Sequence, residues 1–282
     1  MSEVNEVTLS ELVLSYLGGC PQHQAWIRVP EPLQRSVHIR SSVWEPWLAQ
    51  GGYPLRSKSF CGPLPTETSA AAIGLLADLP MIGQPRRGRD RCISRKLLSD
   101  LAHKANSTSA ATDLVRLWVA TMMWGSGTSN GRGPWRTAQG LADPDLLAVL
   151  DRTFGLVANG KLRDAYSAFK VDGCGESYFT KWLWSASLGA GTATPTPLIL
   201  DLRVRAVLGI VNRDSLQPRG ASGYIKYVDQ MSSVASTLNA KKGLHMTAEK
   251  LEWLMFERPA RRSSGGLDRE PCLFEWLRSR GA

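Results

Sequence analysis

Residues 173–208 read GCGESYFTKWLWSASLGAGTATPTPLILDLRVRAVL, and they set a lysine and an aspartate on consecutive helices. Gly173 and Gly175 permit a tight turn, after which the pattern predicts a helix over 178–188 with Lys181 near its start. There the positive end of the helix dipole and the neighbouring Tyr178, Trp182 and Trp184 disfavour an ammonium and favour the neutral amine, a usable nucleophile. A glycine- and proline-containing loop and the apolar run Leu198-Ile199-Leu200 then lead to Asp201, which opens the next helix. A carboxylate at the mouth of a low-dielectric site stabilises an oxocarbenium-like sugar or orients a nucleophile. The simpler reading of the same two residues makes Asp201 an N-cap with Arg205 as its i, i+4 partner, and Lys181 a surface lysine.

Working outward, the pattern is helical on both sides. Upstream lie SAAAIGLLADL from about 69, ISRKLLSDLAHKA, and a core helix over 109–124 in which Ala111, Leu114, Trp118 and Met122 recur at helical spacing before Gly125. Asp143-Pro144 reads as N-cap and first-turn proline of the next helix, and further periodic segments follow at about 161–171, 201–211, 223–239 and 247–257, the last stopped by Pro259. Residues 1–68 are richer in proline and glycine, with short alternating runs such as Ser36–Arg40 that suit brief strands. No βαβ alternation or internal repeat is present. The expected fold is mainly α, with a less regular region over 1–68 and a two-lobed helical domain over 69–282.

Thirty-four Lys and Arg against 25 Asp and Glu give a net charge of +9 and a pI near 9.5, which favours a polyanion as partner because each neutralised phosphate releases a counterion. The basic runs PRRGRDRCISRK (85–96) and RPARRSSGG (258–266) read as loops or helix starts, either solvated or on phosphates, with Arg86 and Arg87 as DNA-binding candidates. Ten tryptophans serve equally as core and as stacking surfaces for bases. Five scattered cysteines without a C-x-x-C pair argue against a disulfide framework and a zinc site, and the four histidines show no ligand spacing. No cofactor and no metal are expected. With acids at the amino terminus and no apolar run near the roughly 18 residues that span a bilayer, a cytoplasmic protein without membrane or obligate protein partners is expected.

Phe179-Thr180-Lys181 and Leu198-Ile199-Leu200-Asp201-Leu202-Arg203-Val204 resemble the F-T-K and L-I-L-D-x-x-V hallmarks of the helix-hairpin-helix DNA glycosylases, specifically bacterial proteins with the fold of 8-oxoguanine DNA glycosylase. The resemblance covers residues 108–211 and places the helix-hairpin-helix segment at about 161–211. It implies that Lys181 attacks the sugar carbon to form a Schiff base and that Asp201 assists. WVATMMWGSGTSNGRG (118–133) resembles the family's helix and loop at the flipped base, which implies base-pocket or wedge roles for Trp124, Gly125, Gly127, Asn130 and Arg132. Tyr178 and Thr180, beside Lys181, join them as DNA-binding candidates.

One departure is that Tyr178-Phe179-Thr180 stands before Lys181 where the family carries a glycine, an apolar residue and a glycine, which puts a phosphate grip and a monovalent cation in question. The partner implied is double-stranded DNA with a modified base. Similar bacterial proteins act against phage DNA carrying glucosylated hydroxymethylcytosine, so base excision in antiviral defence is one expectation and repair of 8-oxoguanine, with or without strand nicking, the other. Two rivals stand beside them: a non-catalytic helical DNA-binding protein, and a Schiff-base lysine enzyme for a small carbonyl compound, which leaves the positive charge unexplained.

Overall fold

A computed structural model describes residues 8–28, 36–52, 63–86, 88–127, 131–191, 195–211, 218–242, 244–256 and 271–280. The chain begins with α1 (Leu9–Gly18), whose Thr8 and Glu11 form a reciprocal capping box, and α2 (Pro21–Arg28). The short strand β1 (Val37–Ile39) leads into α3 (Ser41–Gln50), which tolerates Pro46 and ends at the left-handed Gly51. Next come α4 (Thr66–Asp78) and two further strands, β2 (Met81–Arg86) and β3 (Arg89–Ile93). The helices α5 (Arg95–Thr108), α6 (Ala111–Gly125), α7 (Gly133–Ala142) and α8 (Leu146–Ala158) follow. After them come α9 (Leu162–Ala168), α10 (Glu176–Ser187), α11 (Leu202–Val211), α12 (Gly220–Lys242), α13 (Ala248–Phe256) and α14 (Leu273–Ser279). The fold is mainly α, as the periodicity predicts.

Two compact units divide these elements: residues 34–197 form one, and residues 1–33 with 198–282 form the other. The change of character that the sequence suggested at residue 68 falls inside the first, because α3 packs on both α4 and α7. The centre of that unit is α6, which is buried nearly all round through Leu114, Val115, Leu117, Trp118, Val119, Met122 and Met123 and contacts α4, α5, α7, α8 and α10. Burying side chains of this size stabilises by about 1.5–3 kcal/mol each. Close approach of the helices depends on residues without side chains: a Cβ on Gly140 would lie 2.5 Å from the Trp118 ring, and one on Gly189 would run into the Ala102 carbonyl of α5.

Two expectations need correction here. The basic run at 85–96 is neither a loop nor a helix start over its first part. It forms the antiparallel pair β2–β3, turned at the left-handed Gly88, and β1 pairs with β3 through Val37 and Ile93. Arg91 of β3 is held by the fold: it donates to the carbonyls of Ala77 and Leu79 at 3.1 and 2.8 Å. Asp143 is not the N-cap of α8. It ends α7, and its carboxylate accepts the N–H groups of Asp145 and Asp172, each at 2.9 Å, so it ties the start of α8 to the loop after α9.

In the second unit, long-range polar contacts join the chain's first helices to its last. Tyr16 donates to the Pro271 carbonyl at 2.9 Å, and the buried Lys250 donates to the carbonyls of Ile27 (2.7 Å) and His245 (2.6 Å). Among the described residues no helix is long and apolar enough to cross a membrane.

Candidate functional site

The hairpin between α9 and α10 positions the candidate lysine. Gly173 has φ +72°, and a Cβ there would meet the Arg136 carbonyl at 2.8 Å and Gln139 at 2.9 Å, so this residue must be glycine for the turn to lie against α7. Gly175 is the N-cap of α10. A glycine, an apolar residue and a glycine occur five residues before Tyr178-Phe179-Thr180, as Gly173-Cys174-Gly175 in the turn itself. Aromatic packing closes the hairpin: Phe179 stacks on Phe169 (5.5 Å between centroids) and meets Tyr166 edge-on at 4.9 Å. Thr180 is fully buried and donates to the Glu176 carbonyl at 2.8 Å, so it serves the helix, and no DNA contact is proposed for it.

Because α10 starts at Glu176, Lys181 falls in its second turn, where the dipole of the helix N-terminus has largely faded. Burial replaces the dipole as the distinguishing feature of this residue. Lys181 is only 6% exposed, which excludes the surface-lysine reading. Its Nζ donates to the Ser177 carbonyl at 2.8 Å and lies 5.8 Å from the centre of the Tyr178 ring.

The side chain passes the C-terminal end of α6, where a Cβ on Gly125 would stand 2.7 Å from Lys181 Cδ and 3.5 Å from Tyr178. Gly125 is therefore the space that the lysine stem occupies. If Lys181 has the nucleophile role that the resemblance implies, Gly125→Ala pushes the amine aside and slows base release by roughly 10²-fold, the scale of an ångström's misplacement, with the melting temperature little changed. Single-turnover kinetics and a thermal melt check this, and a wild-type rate would contradict it.

Around the lysine the first unit gathers several of the other candidates. Half-buried Trp124 stacks on buried Trp184 at 5.2 Å, and the Arg95 guanidinium lies 4.6 Å from the Trp184 ring and 6.0 Å from Trp124. Ser126 donates to the Met122 carbonyl at 2.6 Å and approaches the Tyr178 hydroxyl at 3.4 Å. Gly127 has φ +63°, and the exposed Arg132 precedes α7.

Sequence reasoning missed Arg136, whose guanidinium lies 5.5 Å from the centre of the Tyr178 ring. Its one sequence signal was position, a single helical turn after Arg132. Arg136, Trp135 and Gln139 of α7, with the hairpin residues Gly173–Gly175, line a shallow cavity of about 360 Å³. Asn130 and Arg87 lie outside the described residues, and of Arg86 only the backbone, at the end of β2, is described.

Cys174 sits in the same turn, buried, with its thiol 3.9 Å from Met122 sulfur. Burial pushes it up to about 12 from 9.0, against smaller opposing effects of Trp118, Lys181 and Arg136. An unfolded chain therefore ionises this thiol first, so its contribution to stability is intact at neutral pH and is lost as pH rises past 9.0. Iodoacetamide at about pH 8 is expected to label Cys174 only after denaturation, because the thiolate is the nucleophile. Peptide mapping reads this, and labelling of the folded protein would contradict it.

Asp201 belongs to the other unit. It is 9% exposed, and its Oδ1 accepts the N–H groups of Arg203 (2.9 Å) and Val204 (3.1 Å), so it caps α11 as the simpler reading proposes. Capping through Oδ1 fixes the orientation of the carboxylate. Among the described residues no group of three or more His, Cys, Asp or Glu side chains could hold a metal ion.

No curated protein and no solved structure matches the chain. A family does: the one described as "Putative 8-oxoguanine DNA glycosylase OGG-like protein" matches residues 30–256, a span that holds the hairpin, Lys181 and Asp201. Since that is well over half of its length, and the mainly α architecture agrees, the chain belongs to the OGG-like family of DNA glycosylases.

Proposed function

We propose that the protein is a DNA N-glycosylase in which Lys181 is the nucleophile and Asp201 the assisting acid. What carries the reading is the buried amine of Lys181, held against Gly125 and Tyr178 one turn beyond a glycine hairpin in a chain of this family. The duplex is gripped mainly through phosphates, as the +9 charge favours, and the target nucleotide is extruded at a cost of a few kcal/mol of unstacking. Neutral Lys181 attacks C1′, and the base leaves with the glycosidic electron pair and takes up a proton. Asp201 stabilises the positive charge that develops on the sugar. Loss of the amine proton and ring opening give an imine. Water resolves it to an abasic site and free lysine, or proton loss at C2′ eliminates the 3′ phosphate and nicks the strand.

Trp124, Tyr178, Arg132 and Arg136 are the proposed contacts to the base and its flanking backbone. For the substrate, a bulky modified cytosine such as glucosylated hydroxymethylcytosine in phage DNA is the first reading, supported by the small and hydroxyl-bearing side chains of the loop that begins at Ser126. It implies an antiviral role in a bacterial cytoplasm. The family description favours 8-oxoguanine as the second reading. Release of free base from glucosylated phage DNA, compared with an oligonucleotide containing 8-oxoguanine, separates the two. Release from neither removes the glycosylase reading.

A further inference from the structure

The segment that delivers Asp201 is buried and lies in neither helix nor sheet, so its backbone groups need partners from elsewhere. Three side chains supply them. Tyr224 accepts the Leu198 N–H at 3.1 Å and donates to the Leu198 carbonyl at 2.6 Å, so a single hydroxyl satisfies both polar groups of that residue. Glu252 accepts the Ile199 N–H at 3.1 Å, and Tyr227 donates to the Ile199 carbonyl at 3.2 Å. Tyr224 and Tyr227 are three residues apart on one face of α12, Glu252 comes from α13, and none is more than 3% exposed. Burial, with Glu252, Tyr224 and Asp201 adding to it, holds the Tyr227 phenol well above its ordinary value, which keeps it a donor at every working pH. Downstream, Asp201 is anchored by the two N–H groups of α11.

We propose that Tyr224, Tyr227 and Glu252 are positioning residues for Asp201: they clamp the N–H and C=O groups of both Leu198 and Ile199 so that the carboxylate is presented in one orientation to the sugar. This rests on the reading of Asp201 as the assisting acid. A clamp of this kind acts on the rate of the chemical step and leaves the grip on DNA phosphates untouched. Ordinary packing residues would instead lower stability and leave the kinetics of the folded fraction unchanged.

The test is single-turnover base release and DNA affinity for the full chain, with thermal melts as the folding control. Tyr227→Phe removes one oxygen atom, and it stands in should Glu252→Ala fail to fold. Both variants are expected to release base roughly 10- to 100-fold more slowly, with the Kd for DNA within about twofold of wild type. Glu252→Gln, which keeps an acceptor oxygen, is expected to recover to within about threefold. In an Asp201→Asn background Tyr227→Phe is expected to add nothing, since two changes acting through one group are not additive. A wild-type rate for Tyr227→Phe, or an undiminished loss in the Asp201→Asn background, overturns the clamp alone. An inactive wild-type protein on every substrate overturns the glycosylase reading and the clamp together.

Discussion

Lys181→Gln is expected to reduce base release by at least about 10³-fold, on the scale of an enzyme that has lost its nucleophile, while DNA affinity stays near wild type. The expectation follows from where the amine sits. Lys181 Nζ donates to the Ser177 carbonyl within its own helix, and glutamine can bury a side chain of similar reach in the same channel beside Gly125. Losing the bond to Ser177 costs about 1 kcal/mol, small beside a 10³-fold loss of rate, which is therefore a loss of chemistry. An electrophoretic shift assay and a melting curve verify that the variant folds and binds. Should Lys181→Gln release base normally, Lys181 is a buried structural lysine and the protein's basic surface is left as its main functional feature.

Asp201→Asn gives the second large effect, and it separates two roles of one side chain. Asparagine caps helices as well as aspartate, and its Oδ1 can keep the bonds to the Arg203 and Val204 N–H groups, so stability is expected to change by less than about 1 kcal/mol. The negative charge is gone, and the developing positive charge on the sugar loses its counterpart, so base release is expected to fall by roughly 10²–10³-fold. Asp201→Ala loses the cap as well, and its melting temperature should drop where that of Asp201→Asn does not. Full activity in Asp201→Asn would reduce Asp201 to a cap and remove the basis of the Tyr224–Tyr227–Glu252 clamp. These outcomes also decide against a non-catalytic DNA-binding protein, for which neither substitution would alter any reaction.

Long helices were legible from sequence alone. The run around Trp118 announces α6, and the alanine-rich stretch before Asp78 announces α4, because apolar residues recurring at helical spacing have few other uses. The strand at Val37–Ile39 was also visible in its alternation. The β2–β3 pair was not. Its strands are rich in arginine, and β3 finds its other neighbour in β1 some fifty residues upstream, a pairing that no local pattern contains.

The helices of residues 9–50 were obscured by glycine and proline, although Thr8 and Glu11 carried a cap signature and Pro46 sits within α3. Their partition was illegible for the same reason of distance: α1 and α2 join the unit of the last helices through Tyr16 with Pro271 and Lys250 with Ile27.

The candidate site divides along similar lines. Lys181 and Asp201 stood out by motif and Gly173 by its turn. Arg136 and Glu252 belong to no motif, and the fold alone brings an aromatic ring to the one and an amide to the other.

The step proposed for Lys181 is a covalent bond to deoxyribose, and borohydride reduction reads that bond directly. Wild-type protein incubated with a modified-base duplex and sodium borohydride is expected to give an adduct of protein plus DNA strand whose cross-linked peptide contains Lys181, and Lys181→Gln is expected to give none. Base release by the wild type without any trapped adduct, or an adduct mapped to a different lysine, would contradict it.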